Sequence, residues 1–251
     1  MPDGPALAAA RQAVEQSPDR PEPLFRLCCL LLARQDPAAN ALLPHLERFS
    51  GYAPGWQALG QALLPKQPSG ALVAYTRAQA ASPSLAAGLG RAAALSLLDR
   101  HREAADAYAA CERLAPRDAR LPHRRGLALR KVGDLQTART AFAHATVLDP
   151  ASGLAWHSLG VICQDLGDHA AAAPAFRAAL AANPDMHEAA FNLGIALQEG
   201  GDLEAALNAY AAALRLRPDL FGRIAQALVS PRVGRLWLSP ARLRQDLGSR
   251  A

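Results

Sequence analysis

Apolar positions recur along most of this chain at three- and four-residue spacing, in blocks the length of a short α-helix, and clusters of Gly, Asp, Asn and Pro separate the blocks. That period places the apolar side chains on one face of a helix, and the punctuation ends each helix after three or four turns. The blocks repeat. The segment from Gly153 to Met186 carries Trp156, Leu159, Gly160, Gly167, Asp168, Ala172, Phe176, Ala179 and Pro184. Ala190, Leu193, Gly194, Gly201, Asp202, Ala206, Tyr210, Ala213 and Pro218 follow at a constant offset of 34 residues. One period earlier stand Gly126, Gly133, Asp134, Ala138, Phe142, Ala145 and Pro150, and before them Leu95, Ala104, Tyr108, Cys111 and Pro116. With slightly shorter internal spacing, Trp56, Leu59, Gly60, Ala71, Tyr75, Ala78 and Pro83 make a fifth copy.

Each recurring residue has a mechanical role. A mid-helix glycine such as Gly160 costs roughly 1 kcal/mol against alanine. That cost is acceptable where the paired helix, with Ala172 facing it, must approach closely. Gly167-Asp168 and Gly201-Asp202 are expected to end one helix and cap the next, the glycine in the left-handed region and the aspartate as N-cap. Pro150, Pro184 and Pro218 stop the second helix. Phe176, Tyr210, Phe142, Tyr108 and Tyr75 are expected to plug the space between successive pairs.

A period of 34 residues, with W-x-x-L-G spacing at Trp56-Leu59-Gly60 and Trp156-Leu159-Gly160, later alanines, an aromatic and a closing proline, resembles the tetratricopeptide repeat family. Pro122, Arg125 and Gly88 stand where that family prefers Trp or Leu. The resemblance implies an all-α fold, an α-α superhelix of about six helix pairs with capping helices. Residues 1–52 then form a degenerate N-terminal repeat and cap, with helices over Ala6–Gln16, Glu22–Arg34 and Ala38–Phe49. Residues 53–218 form five repeats, and 219–251 a capping helix over Leu220–Val229 followed by a basic tail. In that tail Ser239-Pro240 starts a helix, Leu243 and Leu247 share a face, and Leu236-Trp237-Leu238 either folds back or docks on a partner or second copy.

Composition refines this picture. Alanine takes many core positions while aromatics are 5% of the chain, and small side chains let helices approach closely. Lys66 and Lys131 are the only lysines, and the arginine bias fits a GC-rich, bacterial genome. The net charge of +5 is local: seven basic residues lie between Arg113 and Lys131 against Asp118 alone. That stretch lacks interleaved aromatics, which argues against nucleic acid. Cys28, Cys29, Cys111 and Cys163 form no C-x-x-C pair and no zinc-ligand spacing, and read as buried thiols in a reducing compartment. With no apolar run near 18 residues and no signal-like N-terminus, the expectation is a cytoplasmic protein without a membrane span.

No nucleophile, phosphate-loop, metal or cofactor motif is present, so the expectation is a non-enzymatic adaptor without cofactor. Its partner-binding surface should be the concave face lined by the first helix of each pair. On that face stand Arg120, His123, Arg124, Leu127, Arg130 and Lys131. One repeat later come Leu154, His157, Ser158, Val161, Gln164 and Asp165, and then Glu188, Phe191, Asn192, Ile195, Gln198 and Glu199. Convergent arginines suit a protein or peptide that is acidic or ends in a free carboxylate. Asn192 and Arg124 match two positions of the clamp with which chaperone-binding family members hold a terminal carboxylate, but the other members are absent. The alternatives are a self-assembling module, joined through the N-terminal repeat or the Trp237 segment, and an accessory to a glycosyl- or protein-modifying transferase.

Overall fold

The structure, a computed structural model, describes residues 4–229 and 240–250. Among these there is no strand; the elements are α-helices joined by short turns and two 3-10 turns. Contacts divide the chain into two compact units that meet in sequence at Arg117 and Asp118.

The first unit holds α1 (Pro5–Gln16), α2 (Pro21–Ala33), α3 (Ala38–Leu46), α4 (Ala53–Leu63), α5 (Pro68–Ala81), α6 (Leu85–Leu97) and α7 (His101–Leu114). Helices α2 and α3, α4 and α5, and α6 and α7 pack as hairpins, and α1 lies against α2 as an unpaired second helix. A core of Leu7, Leu24, Phe25, Leu31, Leu46, Trp56, Leu59 and Tyr75 runs through the stack. Prolines open α1, α2, α4 and α5, where a missing N–H costs nothing because the first turn has no intrahelical acceptor.

The second unit holds α8 (Arg120–Val132), α9 (Leu135–Leu148), α10 (Gly153–Asp165), α11 (His169–Ala182), α12 (His187–Glu199), α13 (Leu203–Leu216), α14 (Phe221–Leu228) and α15 (Pro240–Ser249). The hairpins are α8 with α9, α10 with α11 and α12 with α13, and α10 also touches both α8 and α12. Gly133, Gly167 and Gly201 adopt φ of 83°, 74° and 87°, the left-handed region in which glycine pays no Cβ penalty. The next residue caps the following helix: Asp134, Asp168 and Asp202 accept from the backbone N–H of Thr137, Ala171 and Ala205.

The mid-helix glycines serve a different neighbour from the expected one. A Cβ on Gly160 would stand 2.6 Å from the Phe176 ring, on Gly126 2.7 Å from Phe142, and on Gly194 2.5 Å from Tyr210. The aromatic of the same hairpin, and not the small alanine, fills the space each glycine leaves. Tyr75 fits the expected plug between pairs, lying against Gly60 of its own hairpin and Gly90 of the next.

Beyond α13 the second unit is closed by α14 and α15. Ile224 and Leu228 of α14 and Leu243 and Leu247 of α15 are buried, and Arg250 reaches Glu204 and Asn208 on α13. The sealed end is what a solenoid needs to keep its last repeat from exposing apolar surface. Trp237 lies outside the described residues.

Candidate functional site

The expected partner face lies in the second unit, on α8, α10 and α12. The three helices are joined by bonds that recur with the repeat. His123 Nε2 lies 2.9 Å from Ser158 Oγ, and one repeat later Asn192 Nδ2 donates to His157 Nε2 at 3.2 Å. Arg130 Nε donates to Asp165 Oδ2 at 2.6 Å. Gln164 donates to the Asn192 carbonyl at 3.2 Å and Gln198 to that of Ala227 at 2.8 Å. Helices α8 and α10 are thus each tied to the next of the series by a histidine in the first two turns and by another side chain near the C-terminal end.

The rings of this series also pack inward. His123 lies 5.5 Å from Phe142, His157 5.7 Å from Phe176 and Phe191 5.8 Å from Tyr210, all tilted. Burial disfavours the imidazolium and lowers the pKa of both histidines; the Arg124 charge adds to this at His123. At His157, Glu188 opposes the shift while Arg130 reinforces it. Neutral imidazoles keep an acceptor nitrogen, which the Asn192 bond to His157 needs.

These ties divide the sequence-derived site residues. His123, His157 and Arg130 are held by the neighbouring repeat, and Phe191 is buried at 7% exposure. Asn192 is occupied by His157. Arg120 is chelated by Asp118, with Nε to Oδ1 and Nη2 to Oδ2 both 2.8 Å, and that bond holds the Asp118 carboxyl below its usual range. Leu127 remains 43% exposed with Val161 half-buried beside it in the series, and Leu154 is 57% exposed. Arg124 and Lys131 are exposed and make no hydrogen bond or ion pair among the described residues. Gln198, expected to face the groove, is instead buried at 2%, where it also accepts from Tyr210 Oη at 3.0 Å.

Residues 123–173 and 164–220 match the tetratricopeptide repeat family. Those residues carry tetratricopeptide repeats. No curated protein matches it significantly in sequence. Among solved structures, its fold is similar to a crystal structure of MamA, with a TM-score of 0.63 at 20% identity over 67% of this chain and 93% of the other. A MamA fragment from Desulfovibrio magneticus RS-1 has a TM-score of 0.61 at 18% identity, over 66% and 96%. YrrB, described as a TPR protein with an unusual peptide-binding site, has a TM-score of 0.56 at 20% identity, over 88% and 97%. No described helix is long and apolar enough to cross a membrane, and no group of three or more potential metal ligands assembles among the described residues.

The repeat architecture also builds a feature that sequence reading missed. Where α12 meets the turn after α13, an open cavity of ≈ 380 Å³ is lined by His157, His187, Glu188, Phe191, Asn192, Arg217, Asp219, Leu220 and Arg223. Arg217 grips Asp219 through two bonds of 2.8 and 2.7 Å, and this contact holds the carboxyl down to about 2. The Arg223 guanidinium rests 4.6 Å over the Phe191 ring. The one sequence-level signal was Arg217-Pro218-Asp219, where the repeat-closing proline brings an i, i+2 ion pair to the mouth.

Proposed function

We propose that this protein is a non-enzymatic adaptor that holds a segment of another protein along α8, α10 and α12, with an acidic group of that segment at Arg124 and Lys131. The observation that carries the reading is the division of the face. Its polar middle is consumed in joining repeats, which makes it stiff, while two cations and the apolar Leu127 and Leu154 are left exposed beside it. A preformed face avoids part of the ordering cost of binding. An exposed cation that makes no internal hydrogen bond gains a charge-assisted bond from a partner without first breaking one. The peptide-binding site of the similarly folded YrrB is consistent with this use of the architecture.

A displayed octapeptide library panned on the intact chain tests it. An acidic class with at least one apolar residue should be enriched, and Arg124→Glu with Lys131→Glu should weaken that class tenfold or more at unchanged helicity. The reading fails if no acidic class emerges, or if it binds the double variant equally well.

A further inference from the structure

The cavity of ≈ 380 Å³ where α12 meets the turn after α13 is bordered by α14, and its walls carry acceptors from one helix and a donor from the other. On α12, Glu188, Phe191 and Asn192 stand at i, i+3 and i+4 and so share one face. The Glu188 carboxylate is 58% exposed; His187 Nε2 lies 3.2 Å from it, and no arginine or lysine pairs with it among the described residues. Asn192 spends its Nδ2 on His157, and its Oδ1 meets no donor among the described residues.

Arg223 of α14 is exposed, rests 4.6 Å over the Phe191 ring, and makes no hydrogen bond or ion pair among the described residues. Phe191 is itself held against Tyr210 at 5.8 Å, so the ring fixes where the guanidinium lies. Arg217 and Asp219 are spent on each other through two bonds. What stays available around one aromatic ring is a single guanidinium, a carboxylate and an amide oxygen, with Leu220 as apolar lining.

We infer that this cavity binds a small zwitterion, a free α-amino acid, with its carboxylate on Arg223, its ammonium on Glu188 and the Asn192 Oδ1, and an apolar side chain toward Leu220. A guanidinium presents parallel N–H groups that match a carboxylate. An ammonium has three donors and no acceptor, and α12 offers it two acceptors one turn apart. A simple anion would be set against Glu188 and a simple cation against Arg223, whereas a molecule carrying both charges pairs each. Small-molecule sites span roughly 300–1,000 Å³, and this cavity falls at the small end, which suits one amino acid. The site needs neither Arg124 nor Lys131.

Calorimetric titration of the full chain with free L-leucine tests it. L-leucine should bind at one site per chain. N-acetyl-L-leucine lacks the ammonium and L-leucinamide lacks the carboxylate, and each should bind about tenfold more weakly or worse, the loss of one charge-assisted contact. Glu188→Gln and Arg223→Met, both at exposed positions, should weaken L-leucine by about the same factor at unchanged helicity. Arg124→Glu with Lys131→Glu should leave it untouched. The inference is overturned if L-leucine gives no binding heat at millimolar concentration, if either capped form binds as well as L-leucine, or if either single variant binds like the parent. It is equally overturned if an octapeptide with a free N-terminus competes as well as L-leucine, which would make a chain terminus the occupant.

Discussion

Gly160 shows how a single position can oppose its own local preference. Alanine is the better helix former by roughly 1 kcal/mol, yet its Cβ would sit 2.6 Å from a Phe176 ring that is fully buried and has nowhere to go. Overpacking of this kind costs about 1–3 kcal/mol, so after the propensity gain Gly160→Ala should destabilise the second unit by up to about 2 kcal/mol in urea titration. The turn positions show the reverse case. Gln35 and Asp99 adopt φ of 60° and 56°, where the second unit places glycine. Aspartate tolerates that region through local hydrogen bonding, but glutamine does not. Gln35→Gly should therefore stabilise the first unit by about 1 kcal/mol, read as a higher denaturation midpoint with unchanged slope.

Between helices, the histidine series couples packing to pH. His123 and His157 have folded pKa values below the unfolded value near about 6.5. The unfolded chain therefore binds protons more readily, and stability is full above that value and falls as pH drops through it toward the folded values. Each site contributes a slope of up to about 1.4 kcal/mol per pH unit. Phe191 already occupies the equivalent position in α12 with the same ring geometry, so His123→Phe with His157→Phe should retain the stacking. Thermal unfolding of this double variant between pH 5 and 7 should show a clearly flatter dependence than the parent. An equal slope in both would place the acid sensitivity elsewhere.

Across the molecule, the two units share one repeat and differ in what their exposed faces offer. Solenoid repeats exchange contacts chiefly with their neighbours, so groove-lining side chains vary while the packing positions stay. Charge and apolar contacts respond differently to salt, because exposed charges separated by more than about 8 Å are screened at physiological ionic strength. Binding of an acidic peptide at Arg124 and Lys131 should weaken several-fold between low and high salt. Anisotropy titrations across a salt series measure this dependence.

Helix boundaries, hairpin pairing and the Gly-Asp turns were legible in the chain because each depends on local rules: a 3.6-residue period, a residue tolerant of positive φ, a side chain that caps. The 34-residue offset then carried those local rules to a stack, since only a repeated hairpin buries its face against a copy of itself. The face of α8, α10 and α12 was legible as a set of positions, but not by role. His123, His157 and Arg130 meet partners 35 residues away, Ser158, Asn192 and Asp165, and Gln198 turns inward to Tyr210 and Ala227. The contact of Phe25 with Tyr52 likewise depends on two rings closing over Gly55. Periodicity reports which side of a helix a residue occupies; whether its polar end meets a neighbouring repeat or water depends on distances that exist only once the hairpins have packed.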